Sequence, residues 1–276
     1  LHADLESGRR KLRAGDVLVQ RKPAILGVGE CMAPEQRQMI RPVAAHRVSH
    51  LQCIGPALLA VPVAATEATF KAIRHLVTPD MLILDVGSTK RDVVDAARRV
   101  LKDNVGVFVP SHPITGSEMS GVEHADGDLY SGRQVILTPI ERTRSVQRQR
   151  AKDVWTALGC HVIEMSPETH DSAFAAVSHL PHLLAFSLMN ALAGQPQGRD
   201  FLSLAGPGFR DFTRIAASDP KIWRDILLAN REELLAQSRH FQQALQAFEQ
   251  TISTGNAEVL ERLIEHASDT RAHWRM

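Results

Sequence analysis

Between residues 24 and 165 the chain alternates short apolar runs with stretches of helical periodicity, and beyond about residue 168 only the helical pattern continues. Buried strands separated by amphipathic helices are the mark of a parallel sheet assembled from βαβ units. The strand-like runs are "ALLAVPV" (57–63), "MLILDVGSTK" (81–90), "VGVFVPSHPITG" (105–116), "QVILTP" (134–139) and "CHVIEM" (160–165). Between them lie the helical patterns "TEATFKAIRHLV" (66–77), "KRDVVDAARRVL" (90–101) and "SVQRQRAKDVWTALG" (145–159), the last closed by Gly159. In the second of these, Val93, Val94, Ala97, Val100 and Leu101 fall on one face and predict its buried side.

The C-terminal part reads as helix alone. "ETHDSAFAAVSHLPHLLAFSLMNALAG" predicts one long helix, with Pro181 as a site for a kink. "SDPKIWRDILLANREELLAQSRHFQQALQAFEQTIS" opens with Ser218 or Asp219 as cap and Pro220 in the first turn, and predicts a single run to Gly255. "NAEVLERLIEHASDTRAHW" supplies a final helix. The expected organisation is an α/β domain over 1–166 and a helical domain over 167–276.

Composition narrows the class. A chain of 276 residues that is 44% hydrophobic, with net charge +1, can bury a core and has no basic excess for nucleic acid. Cys31, Cys53 and Cys160 form no CxxC pair, which argues against a disulfide framework or structural zinc and suits a reducing compartment. No run reaches the roughly 20 apolar residues of a bilayer span. The charged N-terminus lacks an apolar signal core, and it lacks Met, so the chain is trimmed or starts inside a longer reading frame. The expectation is a cytoplasmic globular protein.

In an open parallel sheet, ligands bind beyond the carboxyl ends of the strands. Three such ends carry polar loops: Pro62, "GSTK" (87–90) and "SHPITGSEMSG" (111–121). His112, between Ser111 and Pro113, is either a strand cap or an acid/base group. His179 and His182 share a helix face, but no carboxylate sits at the spacing a metal site uses. They are core histidines or reach a substrate. Arg210 and Arg214, four apart, suit a grip on a carboxylate, or else pair with Asp211, Asp219 or Asp225.

The stretch "AILGVGECMAPEQ" (24–36) starts as a dinucleotide-binding turn, a strand running into Gly27-Val28-Gly29, but places Met32 where a third glycine is due.

Taken together, "LLAVPV", "DVGSTKRDVV", "FVPSHPITGSEMSGVEHADGDLYSGRQVILTP", "HDSAFAAVSHLPHLLAF" and "GFRDFTRIAASDPKIWRDI" resemble, in order, the signature segments of the prephenate dehydrogenase family. The resemblance covers residues 57–235, with a compatible helical tail. It implies a Rossmann-like parallel-sheet domain, abbreviated in its N-terminal half, followed by an all-helical dimerisation domain. It also implies an NAD-dependent oxidative decarboxylation in tyrosine biosynthesis, on prephenate or, as alternatives, on arogenate or both; NADP is the alternative cofactor. By the same resemblance His112 accepts the proton of the ring hydroxyl, and Ser88 touches that hydroxyl and the nicotinamide region. Arg214 and not Arg210 binds a carboxylate; Ser117, Glu118 and His182 line the substrate pocket, and Trp223 packs there from the other subunit. Gly27, Val28, Gly29, Val61, Pro62 and Ser88 are the expected cofactor contacts, the partner is a second copy of the chain, and no metal is expected.

Residues 30–57 depart from this pattern. Only about 28 residues separate Gly29 from Leu58, too few for a helix, an acid-ended strand and a further crossover. A deletion or local frameshift explains the shortfall; a naturally shortened unit, or a strand borrowed from "RAGDVLVQRK", are the alternatives. A catalytically silent dimeric remnant with a disrupted cofactor site is accordingly the competing expectation.

Overall fold

The computed structural model describes residues 24–27, 56–116 and 126–274, the first of these as a backbone strand. One four-stranded sheet has the order β1 (Ala24–Gly27), β2 (Ala57–Ala60), β3 (Ile83–Asp85), β4 (Phe108–Val109). Strands β2, β3 and β4 run parallel, joined through α1 (Thr66–Ile73) and α2 (Arg91–Leu101) as the alternating pattern requires.

Successive residues of these strands enter opposite cores, because side chains alternate across a pleated strand. Leu59, Ile83 and Phe108 pack with Phe70, Ile73 and the α2 stripe of Val93, Val94, Ala97, Val100 and Leu101. Leu58, Leu84 and Val109 instead join Val135, Leu137, Ala151 and Trp155. Covered on both faces, the strands read as unbroken apolar runs. Phe70 and Phe108 meet edge to face, with ring centres 5.1 Å apart. Each such aliphatic or aromatic side chain contributes about 1.5–3 kcal/mol by leaving water.

A second sheet is β5 (Ser111–Pro113), β6 (Gln134–Leu137) and β7 (His161–Glu164), with α3 (Ser145–Ala157) as the crossover between the parallel pair β6 and β7. The sequence reads 105–116 as one strand. The structure divides it at Pro110, whose carbonyl accepts from Thr138 N, and β5 then pairs antiparallel with β6.

A larger difference concerns β1. The sequence casts it as the first parallel strand, yet it pairs antiparallel with β2, Gly27 opposite Ala57 and Ala24 opposite Ala60. An antiparallel pair needs no crossover. The sequence between them offers no intervening acid-ended strand to build one.

The helical part comprises α4 (Pro167–Phe174), a π turn (Ala175–His179), α5 (Leu180–Ala193), α6 (Gly198–Ser203), α7 (Pro207–Thr213), a 3-10 turn (Arg214–Ala217), α8 (Pro220–Ala229), α9 (Arg231–Ser253) and α10 (Ala257–His273). Ser166 caps α4 by accepting from Thr169 N, and Asp219 caps α8 by accepting from Lys221 N and Ile222 N. Pro181 cannot donate to the carbonyl four residues back, and the wider π turn just ahead of it absorbs that defect.

Two sequence expectations change here. The run predicted over 218–253 breaks at Asn230, which leaves helical geometry (φ −105°, ψ 29°). And Pro167–Ala193, 27 residues of continuous helix, is long and apolar enough by length and composition to cross a membrane, contrary to the reading that no run approaches that length. The same helix carries His170, Asp171 and His179, all buried in polar contacts, His170 with His112 of β5, Asp171 with the head of α2 and His179 with Asn230 before α9, which is the behaviour of a packing helix. Its outer side and those of its neighbours leave Val177, Leu188, Leu204 and Leu228 exposed.

Candidate active site

The carboxyl end of β3 is Asp85, buried with both carboxylate oxygens engaged. Oδ1 accepts from Ser111 N at 2.8 Å; Oδ2 accepts from Gly87 N at 3.0 Å and from the Lys90 ammonium. Lys90 is itself buried and also donates from Nζ to the Ser111 carbonyl at 2.8 Å. The Ser111 hydroxyl returns a bond to the Asp85 carbonyl. One carboxylate thus ties the "GSTK" turn to the first residue of β5. A Cβ on Gly87 would lie 2.9 Å from Asp85 Oδ2, so this turn admits no side chain there. Ser88 is half-buried at its crest.

His112 follows on β5. Its Nδ1 lies 2.8 Å from His170 Nε2, and His170 Nδ1 lies 2.8 Å from Asp171 Oδ1. The Asp171 carboxylate also accepts from Lys90 N at 2.8 Å and Arg91 N at 2.9 Å, capping α2 from another element. These contacts fix the tautomers. Asp171 accepts only, so His170 donates from Nδ1 and accepts at Nε2; His112 then donates from Nδ1 and keeps its lone pair on Nε2. Phe174 stacks on His170 and tilts against His112.

Burial pushes the His112 imidazole well below its ordinary range, and the charges of His170, Lys90 and His179 push the same way. Burial also lowers His170, against the opposing hydrogen bond to Asp171. Burial would raise the Asp171 carboxyl, but bonds from His170, Arg91 N and Lys90 N outweigh it and hold the group down. The arrangement is a neutral base backed by a carboxylate.

A second group of side chains lies alongside. His179, in the π turn, is pushed down to about 4 by burial and accepts at Nδ1 from Asn230 Nδ2 at 3.1 Å. Asn230 Nδ2 also donates to the Asp171 carbonyl at 2.7 Å, so the break between α8 and α9 is where this side chain is inserted. His182 donates from Nδ1 to the Ser178 carbonyl at 2.9 Å and stacks on Trp223 with ring centres 3.4 Å apart. Trp223 thus stacks on the histidine of its own chain. Burial lowers His182, and the Arg214 guanidinium adds to this through its charge. Arg214 heads the 3-10 turn, while Arg210 is an exposed partner of Asp211. His179 and His182 thus share Trp223, the first meeting it edge to face at 6.2 Å and the second stacking on it, while their hydrogen bonds go to Asn230 and to the Ser178 carbonyl.

Val61 and Pro62 follow β2 at the same sheet edge as Asp85 and Val109, and the Val63–Ala65 turn after them packs on α8. Gly27 is not there. Because β1 runs against β2, its carboxyl end lies beside Ala57, at the amino-terminal edge of the sheet. A pyrophosphate seat on Gly27 does not fit this arrangement. Val28, Gly29, Ser117, Glu118 and the segment 30–55 lie outside the described residues.

The sequence reading missed His170, Asp171, Lys90, Asp85 and Asn230 as site residues. A signal existed for three of them: an adjacent His-Asp pair in an apolar helix, and a lysine following a Gly-Ser-Thr turn, both expensive to bury unless paired.

Comparison with known proteins adds the family. Residues 30–164 match the model of the prephenate dehydrogenase nucleotide-binding domain, and residues 166–266 that of the prephenate dehydrogenase dimerization domain. The chain is 36% identical over 216 residues to a prephenate dehydrogenase of Bacillus subtilis, covering 78% of this chain and 58% of that protein. It thus spans less than two thirds of that relative's length. With a cyclohexadienyl dehydrogenase of Zymomonas mobilis it shares 33% identity over 218 residues, 78% of this chain and 72% of the other. A crystal structure of prephenate dehydrogenase from A. aeolicus, in complex with hydroxyphenyl propionate and NAD+, superposes with a TM-score of 0.73 at 37% identity, covering 78% and 74% of the two chains. The chain belongs to the prephenate dehydrogenase family.

Proposed function

We propose that this protein oxidatively decarboxylates prephenate with NAD+, giving 4-hydroxyphenylpyruvate for tyrosine synthesis. The observation that carries the reading is the chain His112–His170–Asp171, which leaves a neutral imidazole lone pair on β5. His112 Nε2 accepts the proton of the ring hydroxyl as the carbonyl forms. His170 and Asp171 orient the imidazole and stabilise the charge it gains. Ser88, on the neighbouring turn, is assigned a hydrogen bond to the same hydroxyl. Arg214 is assigned a substrate carboxylate, with His182 and Trp223 walling the side-chain end and Ser117 and Glu118 completing the pocket. NAD+, when bound, supplies the hydride acceptor; Val61, Pro62 and Ser88 are the residues that would hold its nicotinamide end.

Family membership supports the NAD+ assignment, as does the complex named for the A. aeolicus relative. The meeting of the two family models between residues 164 and 166 supports the division into a nucleotide-binding domain over 1–166 and a helical domain over 167–276. The exposed Val177, Leu204, Leu228 and Ile252 support burial of the helical domain against a second copy. We assign the protein to the cytoplasm, where the substrate would arise.

The test is an assay with prephenate and with arogenate, each with NAD+ and NADP+. Turnover of arogenate alone would move the substrate assignment. The competing expectation from the sequence is a silent dimeric remnant. Thermal shift separates the two: stabilisation by millimolar NAD+ or NADP+ supports the enzyme, and no shift with either supports the remnant.

A further inference from the structure

The geometry points to Lys90 as the positioning residue of this site, a buried cation that fixes where His112 sits and keeps its imidazole a proton acceptor. The inference rests on the acceptor role proposed for His112. Lys90 touches both ends of the polar chain. Its ammonium donates to the carbonyl of Ser111, the residue that delivers His112, at 2.8 Å. Its backbone amide donates at 2.8 Å to Asp171, the carboxylate at the far end of the His112–His170–Asp171 chain. A single residue at the head of α2 therefore sets the separation of the two termini, and Asp85 balances its charge.

A role confined to stability would be odd on energetic grounds. A buried ion pair is often matched or bettered by apolar residues of similar volume, because desolvation offsets the attraction. Retaining one makes sense where the charge and the direction of its bonds are used. The ionisable groups set around His112 are Lys90 from the head of α2, His170 and Asp171 from α4, and His179 from the π turn. His170 and His179 are held toward their neutral forms by burial, which leaves Lys90 as the standing positive charge among them.

The experiment is a histidine-ring NMR titration of the full chain, paired with kinetics. Lys90→Met alone strands the Asp85 carboxylate and can unfold the protein, so the double variant Asp85→Asn/Lys90→Met removes both charges. Asp85→Asn/Lys90→Gln, which keeps hydrogen-bonding groups, is the second neutral pair. In either folded variant the His112 titration midpoint should rise, because the Lys90 charge that opposes its protonation is gone. The acid limb of kcat/KM should move up by the same amount, with kcat about tenfold lower. Lys90→Arg, which retains the charge but is too long and too broad for the bonds that Nζ makes to Asp85 and Ser111, should keep the midpoint and lose kcat. A His112 midpoint unchanged in both neutral variants would overturn the proposal. If the unmodified protein turns over neither substrate, the dehydrogenase reading fails, while the titration still decides whether Lys90 governs His112.

Discussion

His112 Nδ1 stands 2.8 Å from His170 Nε2, although the first residue lies on a sheet strand and the second on the opening helix of the C-terminal half. The base of the proposed reaction is therefore assembled only when the two halves of the chain dock.

Replacing the acceptor should affect chemistry and spare the cofactor. His112→Asn is expected to lower kcat by about 10²–10⁴-fold, the usual contribution of a positioned base. NAD+ affinity, measured by titration, should stay within about twofold. Equal losses of both would remove His112 from the proton-accepting role.

Arg214→Ala should act mainly on substrate binding. Loss of a charge-assisted contact to a carboxylate predicts a rise in substrate KM of about 10–100-fold with a smaller change in kcat. Steady-state kinetics check this, and an unchanged KM would pass the role to another cation.

Acid should weaken the fold through its buried histidines. His179 falls from 6.5 to about 4 in the folded chain. Between those values the unfolded chain binds more protons, so stability is full above about pH 6.5 and declines as pH falls toward 4. His112 and His170, both lowered, act in the same direction. For His179 alone the loss approaches about 3 kcal/mol at 1.36 kcal/mol per unit. Urea melts at pH 7, 5.5 and 4.5 should give falling midpoints, and His179→Leu should flatten the slope. A flat profile in the unmodified protein would contradict the burial of these rings.

Gly87→Ala tests the tightness of the turn. The new methyl would sit 2.9 Å from Asp85 Oδ2, and the neighbouring ion pair gives it no room to shift. A loss of about 1–3 kcal/mol is expected from such overpacking, visible in the thermal melting temperature, together with reduced kcat. A melt identical to the unmodified protein would show that the turn can relax.

Much of the scaffold was legible because periodicity reports burial directly. The α2 stripe of Val93, Val94, Ala97, Val100 and Leu101 is buried as its spacing demands, and Asp219 caps α8 as its position beside Pro220 implies. The direction of β1 was not legible, since an apolar four-residue strand looks the same whichever way its neighbour runs. Nor was the break at Asn230: "LLANREELL" keeps helical spacing straight through it, and the cause is a tertiary contact to Asp171 and His179. His112 stood out because a histidine at a strand end packs poorly. His170 and Asp171 did not, because only the fold brings them to it.

The π turn at Ala175–His179 lies between His170, which backs the base, and His182, which stacks on Trp223. A helix advances by about 100° per residue, so the bearing of one histidine relative to the other is set by the residue count of that turn. Losing a single residue there would swing the side-chain end of the pocket around the helix axis while leaving the proton-accepting end in place. Length, more than composition, is the inherited quantity at this point of the chain, and an insertion or deletion would do there what no point substitution can.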